Sequence, residues 1–209
     1  MEQKGQILLQ AEKAFAELQK DEHLRPIVLY WGKCPLRPQR DYFRELCDSV
    51  LAQQISGKVA RTMSERLVER LDGKVSPHAV AGLSLEEFRA LGISRRKGET
   101  LLELARSCLE GEIPLDKLGD MSEEEIDQRL TRVKGIGHWT VMMFLIFSLN
   151  RPRVVPAEDF GIRKAIQKLY NLPQLPTANE VRQCFSAWAP HETVASWYLW
   201  RSLENSGRA

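Results

Sequence analysis

Apolar positions recur along this chain at intervals of three and four residues, the spacing of helices that bury one face. Residues 6–20 place Ile7, Leu8, Ala11, Ala14, Phe15 and Leu18 on one side. Residues 39–55 do the same through Tyr42, Phe43, Leu46, Val50 and Leu51, and a further helix fits 57–71. Residues 24–38, with three prolines and Gly32, read as a connection. Three segments open with the pattern of a capping box, Ser84 with Glu87, Ser122 with Glu125 and Thr177 with Glu180, where a hydroxyl takes an orphan amide and a carboxylate returns to the cap. A short helix at about 123–131, an apolar one at about 138–149 and a third over Phe160–Tyr170 complete the pattern. No stretch alternates convincingly with period two. The expected fold is all-α, with roughly ten helices.

Composition changes this picture little. The chain has 209 residues, 43% hydrophobic and 28% charged, enough for one or two domains with a sizeable core. Its net charge of +2 argues neither for nor against nucleic acid, but the distribution is uneven. Residues 131–170 carry seven Lys or Arg against Glu158 and Asp159, whereas 110–130 carry eight acids against Lys117 and Arg129. Such a basic face suits phosphate contact, and equally suits a solvated surface. The cysteines at 34, 47, 108 and 184 are too scattered for a zinc or iron–sulfur clip and read as free thiols. The first ten residues lack a signal pattern, and the longest apolar run, Val141 to Leu149, is about half of a membrane span. A cytoplasmic protein without membrane segments is expected, nucleoid-associated in a bacterium.

The most informative stretch is Val133-Lys134-Gly135-Ile136-Gly137-His138-Trp139-Thr140. Two glycines one residue apart at a helix start allow a tight turn and close backbone approach to a ligand. The first amides of the next helix then form an anion site, which a DNA phosphate can occupy without its sequence being read. A ligand-free turn between helices is the plainer alternative. Further on, Asp159 stands just before the Phe160 helix, where a cap would be held by amides and favoured as a carboxylate by the dipole. Taken alone, it is an ordinary cap.

Together these segments resemble the helix-hairpin-helix DNA glycosylase superfamily. A Gly-Ile-Gly-x-Trp-Thr hairpin is followed by Pro156-Ala157-Glu158-Asp159-Phe160-Gly161-Ile162-Arg163-Lys164. The best match is the alkylation-repair branch, the 3-methyladenine DNA glycosylases of the AlkA and yeast-Mag type. Leu51-Ala52-Gln53-Gln54-Ile55-Ser56, Gly92-Ile93-Ser94-Arg95-Arg96-Lys97 and Trp197-Tyr198-Leu199-Trp200-Arg201 resemble further segments of that branch, in its order. Two departures stand out. Glu192-Thr193 replace a frequent Arg-Ser, and Met143 stands where some relatives have a base-stacking aromatic. The first 40 residues show no sign of an extra β domain.

The resemblance implies two helical lobes flanking an active-site cleft, here 36–139 and 1–35 with 140–209. It implies a monofunctional enzyme that flips an alkylated purine out of double-stranded DNA and hydrolyses its N-glycosidic bond. Asp159 is then the catalytic carboxylate, stabilising positive charge on the sugar and orienting water. Trp139, Trp200 and Met143 form the base pocket, where a cationic purine gains cation–π attraction. Gln53 or Gln54 fills the gap in the stack. Lys134, Gly135, Gly137, Thr140, Ser94 and Lys97 contact DNA. The position of the Schiff-base lysine of bifunctional relatives such as endonuclease III is Trp139. No cofactor is required; a structural Na+ or K+ at the hairpin would rest on the carbonyls of Thr131, Val133 and Ile136. The protein is expected to act as a monomer. A non-catalytic helix-hairpin-helix module would need the hairpin but not Asp159, the Gln pair or Trp200.

Overall fold

The computed structural model describes residues 11–204. Residues 6–10 of the first predicted helix, with Ile7 and Leu8, lie outside them. The described chain is helical throughout: α1 over 11–18, α2 Arg25–Trp31, α3 Tyr42–Ala52, α4 Gly57–Arg70, α5 Pro77–Ala81, α6 Leu85–Ala90, α7 Arg95–Leu109, α8 Glu123–Leu130, α9 His138–Phe147, α10 Phe160–Leu169, α11 Ala178–Ser186 and α12 Glu192–Glu204. Twelve helices and no strand are found among the described residues, and none of these helices is long and apolar enough to cross a membrane. All three predicted capping boxes form, at α6, α8 and α11.

One predicted connection is corrected. Residues 24–38 contain α2, because Pro26 sits in the first turn, where a missing N–H costs nothing, and Gly32 ends the helix at φ +66°. Val28 and Leu24 are its buried residues, and Gly32 O accepts the Tyr198 hydroxyl at 2.6 Å.

The chain forms two compact units. Gln39–Leu149 makes one, from α3 to α9. Its core is built from apolar faces at helical spacing: Leu46, Cys47, Val50 and Leu51 of α3, Leu101, Leu104 and Ala105 of α7, and Phe144 and Ile146 of α9. The segment 140–149, expected with the termini, belongs here instead. Phe144 meets Tyr42 edge-on at 5.8 Å, and Gln39 N–H donates to Ser148 O at 2.7 Å, so α9 is held on α3. The second unit joins the chain up to Pro38 with that from Asn150. Its core includes Leu24, Val28, Ile162, Ile166, Phe185 and Tyr198. Polar links besides Tyr198 to Gly32 tie its two chain segments: Trp188 Nε1 donates to Asp21 at 2.9 Å, and the Arg201 guanidinium lies over the Trp31 and Trp197 rings at 5.3 and 5.2 Å.

Candidate functional site

In the Gln39–Leu149 unit, α8 ends at Leu130 and the chain turns through Lys134–Gly137 into α9. Gly135 takes φ +99°, and a Cβ there would collide with the Thr100 side chain. Thr100 Oγ1, from α7, lies 3.0 Å from Lys134 O and braces the turn. Gly137 differs. Its φ of −110° suits any residue, and a Cβ would meet nothing within 4 Å. The protein itself has no use for glycine at this position. As N-cap of α9, Gly137 supplies no side-chain acceptor; its carbonyl accepts from Thr140 N–H at 2.9 Å and Val141 N–H at 3.2 Å, and the exposed His138 and Trp139 begin the helix. Lys134 is exposed as well.

The two glutamines separate. Gln53 Nε2 donates to Gly135 O and Thr140 Oγ1, both at 3.0 Å, fastening the end of α3 to the hairpin. Gln54 is exposed and holds φ +57°, uncommon for a residue with a Cβ. Two expected DNA contacts are corrected. Thr140 is buried, its hydroxyl taken by Gln53. Lys97 is 8% exposed; its ammonium donates to Leu51 O and to Gln53 O (3.0 Å), the last carbonyls of α3. A cation capping a helix C-terminus is favourable, and burial with neighbouring Arg96 pulls the Lys97 pKa down. Lys97 therefore supports the glutamine turn from within. Ser94 is exposed and caps α7, accepting from Lys97 N at 3.4 Å.

In the other unit, Asp159 is the N-cap of α10, and its Oδ1 accepts from Ile162 N–H at 2.9 Å. The same oxygen accepts Trp200 Nε1–H, also at 2.9 Å, from α12. Gly161 explains how the indole gets so near. A Cβ there would stand 3.0 Å from Asp159 Oδ1 and 3.2 Å from Trp200 Cδ1. The structure thus brings Asp159 and Trp200 together. Trp139 and Met143 lie one turn apart on α9, Trp139 39% exposed and Met143 buried. Residue patterns did not single out Thr100, Gly161 or Thr193 as functional. Gly161 could have been suspected, since glycine near a helix start has a conformational cost that needs a reason.

The remaining chemistry is limited. Burial pushes the Cys34 thiol up to about 11 and Cys108 to about 12, so neither offers a thiolate at neutral pH. Among the described residues no cluster of His, Cys, Asp and Glu could hold a metal ion. The hairpin offers carbonyls instead. Thr131 ends α8, where carbonyls outrun helix donors, and Val133 and Ile136 bury their side chains, while Val133 O also accepts Ile136 N–H at 3.0 Å. Neutral oxygens of this kind suit a hard monovalent cation.

An open helix start behind two glycines and a carboxylate fixed by an amide and an indole match the sequence pattern, and comparison with known proteins agrees. Residues 47–191 match the model of the HhH-GPD superfamily base excision DNA repair proteins. DNA-3-methyladenine glycosylase 1 of Schizosaccharomyces pombe is 36% identical over 97% of this chain and 92% of its own length. The DNA-3-methyladenine glycosylase of Saccharomyces cerevisiae is 29% identical over 88% of this chain and 76% of its own. The structure of the S. pombe enzyme in complex with abasic DNA superposes with a TM-score of 0.83, covering 94% of this chain and 99% of that one. The chain therefore belongs to the HhH-GPD superfamily of base excision DNA repair proteins.

Proposed function

We propose that this protein is a monofunctional DNA glycosylase that releases alkylated purines, of the 3-methyladenine kind, from double-stranded DNA in base-excision repair. The observation that carries the reading is Asp159, whose carboxylate is held by the Ile162 amide and the Trp200 indole through one oxygen. The names of its relatives support the substrate class. A module that only bound DNA would have no use for this pair.

The hairpin amides and Lys134 grip a phosphate, and Gln54 enters the gap left by the flipped nucleotide. Trp200, beside Asp159, offers a π-face to a cationic purine. As the bond from C1′ to the base lengthens, its electron pair goes to the base and neutralises the alkylated ring. Positive charge builds on the sugar, facing the Asp159 carboxylate. A water oxygen then bonds to C1′ and its proton passes to Asp159 or to solvent. The alkylated base is already a good leaving group, so no dedicated acid is needed. No cofactor enters these steps. A Na+ or K+ on the Thr131, Val133 and Ile136 carbonyls would add positive charge beside the gripped phosphate. An indole at Trp139 forms no Schiff base with the sugar, so the product is an intact abasic strand. The enzyme would act as a monomer, where chromosomal DNA is found.

The test is release of free base from an N-methylpurine duplex. Wild type should release 3-methyladenine and leave strands that break only on added base. Asp159→Asn should lose at least about a hundredfold in single-turnover rate while still binding abasic-site DNA. Activity of Asp159→Asn within a few-fold of wild type would overturn the assignment.

A further inference from the structure

The segment that delivers Asp159 is gripped at its other end by a residue with no place in the chemistry above. Thr193, in the first turn of α12, is buried. Its hydroxyl donates to Arg151 O and accepts Val154 N–H (3.2 Å), and its own amide donates to Pro152 O at 3.1 Å. One residue thus makes three hydrogen bonds to three positions of the 150–156 loop. Trp200 stands seven residues further along α12, about two turns away and on the same face, where it holds Asp159. Both ends of the segment from Arg151 to Asp159 are therefore referenced to one helix. Between them the chain is short and closed by its own turns, Ala157 N–H to Val155 O at 2.9 Å and Asp159 N–H to Pro156 O at 3.0 Å. A chain so tied passes a shift on rather than absorbing it.

We propose that Thr193 is a positioning residue for Asp159, its hydroxyl setting the register of the 150–156 loop against α12 so that the carboxylate meets the Trp200 indole. Glu192 beside it is 5% exposed, and its Oε1 meets Arg153 Nε at 3.5 Å, adding a second link from the same turn to the same loop. Only a hydroxyl can both donate and accept here. Serine therefore preserves the brace and valine, of similar shape, removes it. Small displacements of a catalytic group have large kinetic costs, up to about a hundredfold for 1 Å.

The inference rests on the glycosylase reading, and the experiment separates the two. Wild type, Thr193→Val and Thr193→Ser are compared in single-turnover excision of an N-methylpurine duplex, in affinity for abasic-site DNA, and in the position of the Trp200 indole N–H resonance, assigned with Trp200→Phe. Thr193→Val should excise at least tenfold more slowly, bind abasic DNA within threefold of wild type and move the Trp200 resonance; Thr193→Ser should match wild type in all three. Wild-type excision by Thr193→Val with an unmoved resonance would overturn the brace and leave the glycosylase reading standing. Equal losses in both variants, in rate and affinity together, would also overturn it. If wild type releases no base, the glycosylase reading fails. The resonance still decides the brace, which stands only if valine moves it and serine does not. Should the valine variant not fold, Thr193→Ala carries the same expectations.

Discussion

At the start of α9 the cap brings no side-chain acceptor: Gly137 has none to offer, its carbonyl takes the Thr140 and Val141 amides within the helix, and the space where a Cβ would point is open. At the start of α10 the opposite holds, with Asp159 accepting from Ile162 and from Trp200 through the same oxygen. Both sites exploit the positive end of a helix. One offers it no side chain, which under the proposed function leaves room for a phosphate from outside. The other fills it with a carboxylate of its own, which then cannot wander. In the proposed reaction, gripping DNA and stabilising charge on a sugar are thus separate uses of one piece of backbone physics, distinguished by the cap.

That contrast can be broken deliberately. Gly137→Asp gives α9 the arrangement of α10. It should raise the dissociation constant at least about tenfold, for damaged and intact duplexes alike, since a carboxylate would occupy the phosphate's place. Stability should change by only a few tenths of a kcal/mol, because glycine and aspartate differ little as caps. Fluorescence anisotropy at fixed salt and a melting curve check both, and a loss confined to damaged DNA would show that the hairpin does more than grip. Gly161→Ala sharpens the α10 side. Its Cβ would press on Asp159 and Trp200, so excision should slow about three- to tenfold with DNA affinity unchanged. The smallest effects should come from the glutamines. Gln53→Ala loses two bonds to the hairpin and should lower the melting temperature by a few degrees. Gln54→Ala should leave melting unchanged and slow single-turnover excision only. If the two variants behave alike, the division of roles between them is wrong.

What the sequence made legible was local. The three capping boxes, the glycine hairpin and the Asp159 cap are all set by residues within four positions of one another, and each formed where expected. The helix at Arg25–Trp31 escaped because a proline reads as a breaker unless its place in the first turn is known. Lys97 and Thr140 were read as facing DNA because their true partners, Leu51 and Gln53, stand 44 to 87 residues away. Thr193 was legible only as a departure from the family pattern, and its bonds were hidden for the same reason, its loop lying 39 and 42 residues upstream. No periodicity carries such pairings; they follow from how helices pack.

The left-handed turn at Gln54 has a consequence for anyone improving this protein. A residue with a Cβ at φ +57° costs on the order of 1 kcal/mol, which glycine would not incur. Gln54→Gly should therefore be several tenths of a kcal/mol more stable than the natural chain and melt at a higher temperature, and a screen for heat resistance would collect it. Under the proposed function, the same variant would arrive at the lesion with nothing to put into the gap. On that reading, selection for robustness and selection for repair pull this one position in opposite directions, and a thermostable variant should be accepted only after its excision rate has been measured.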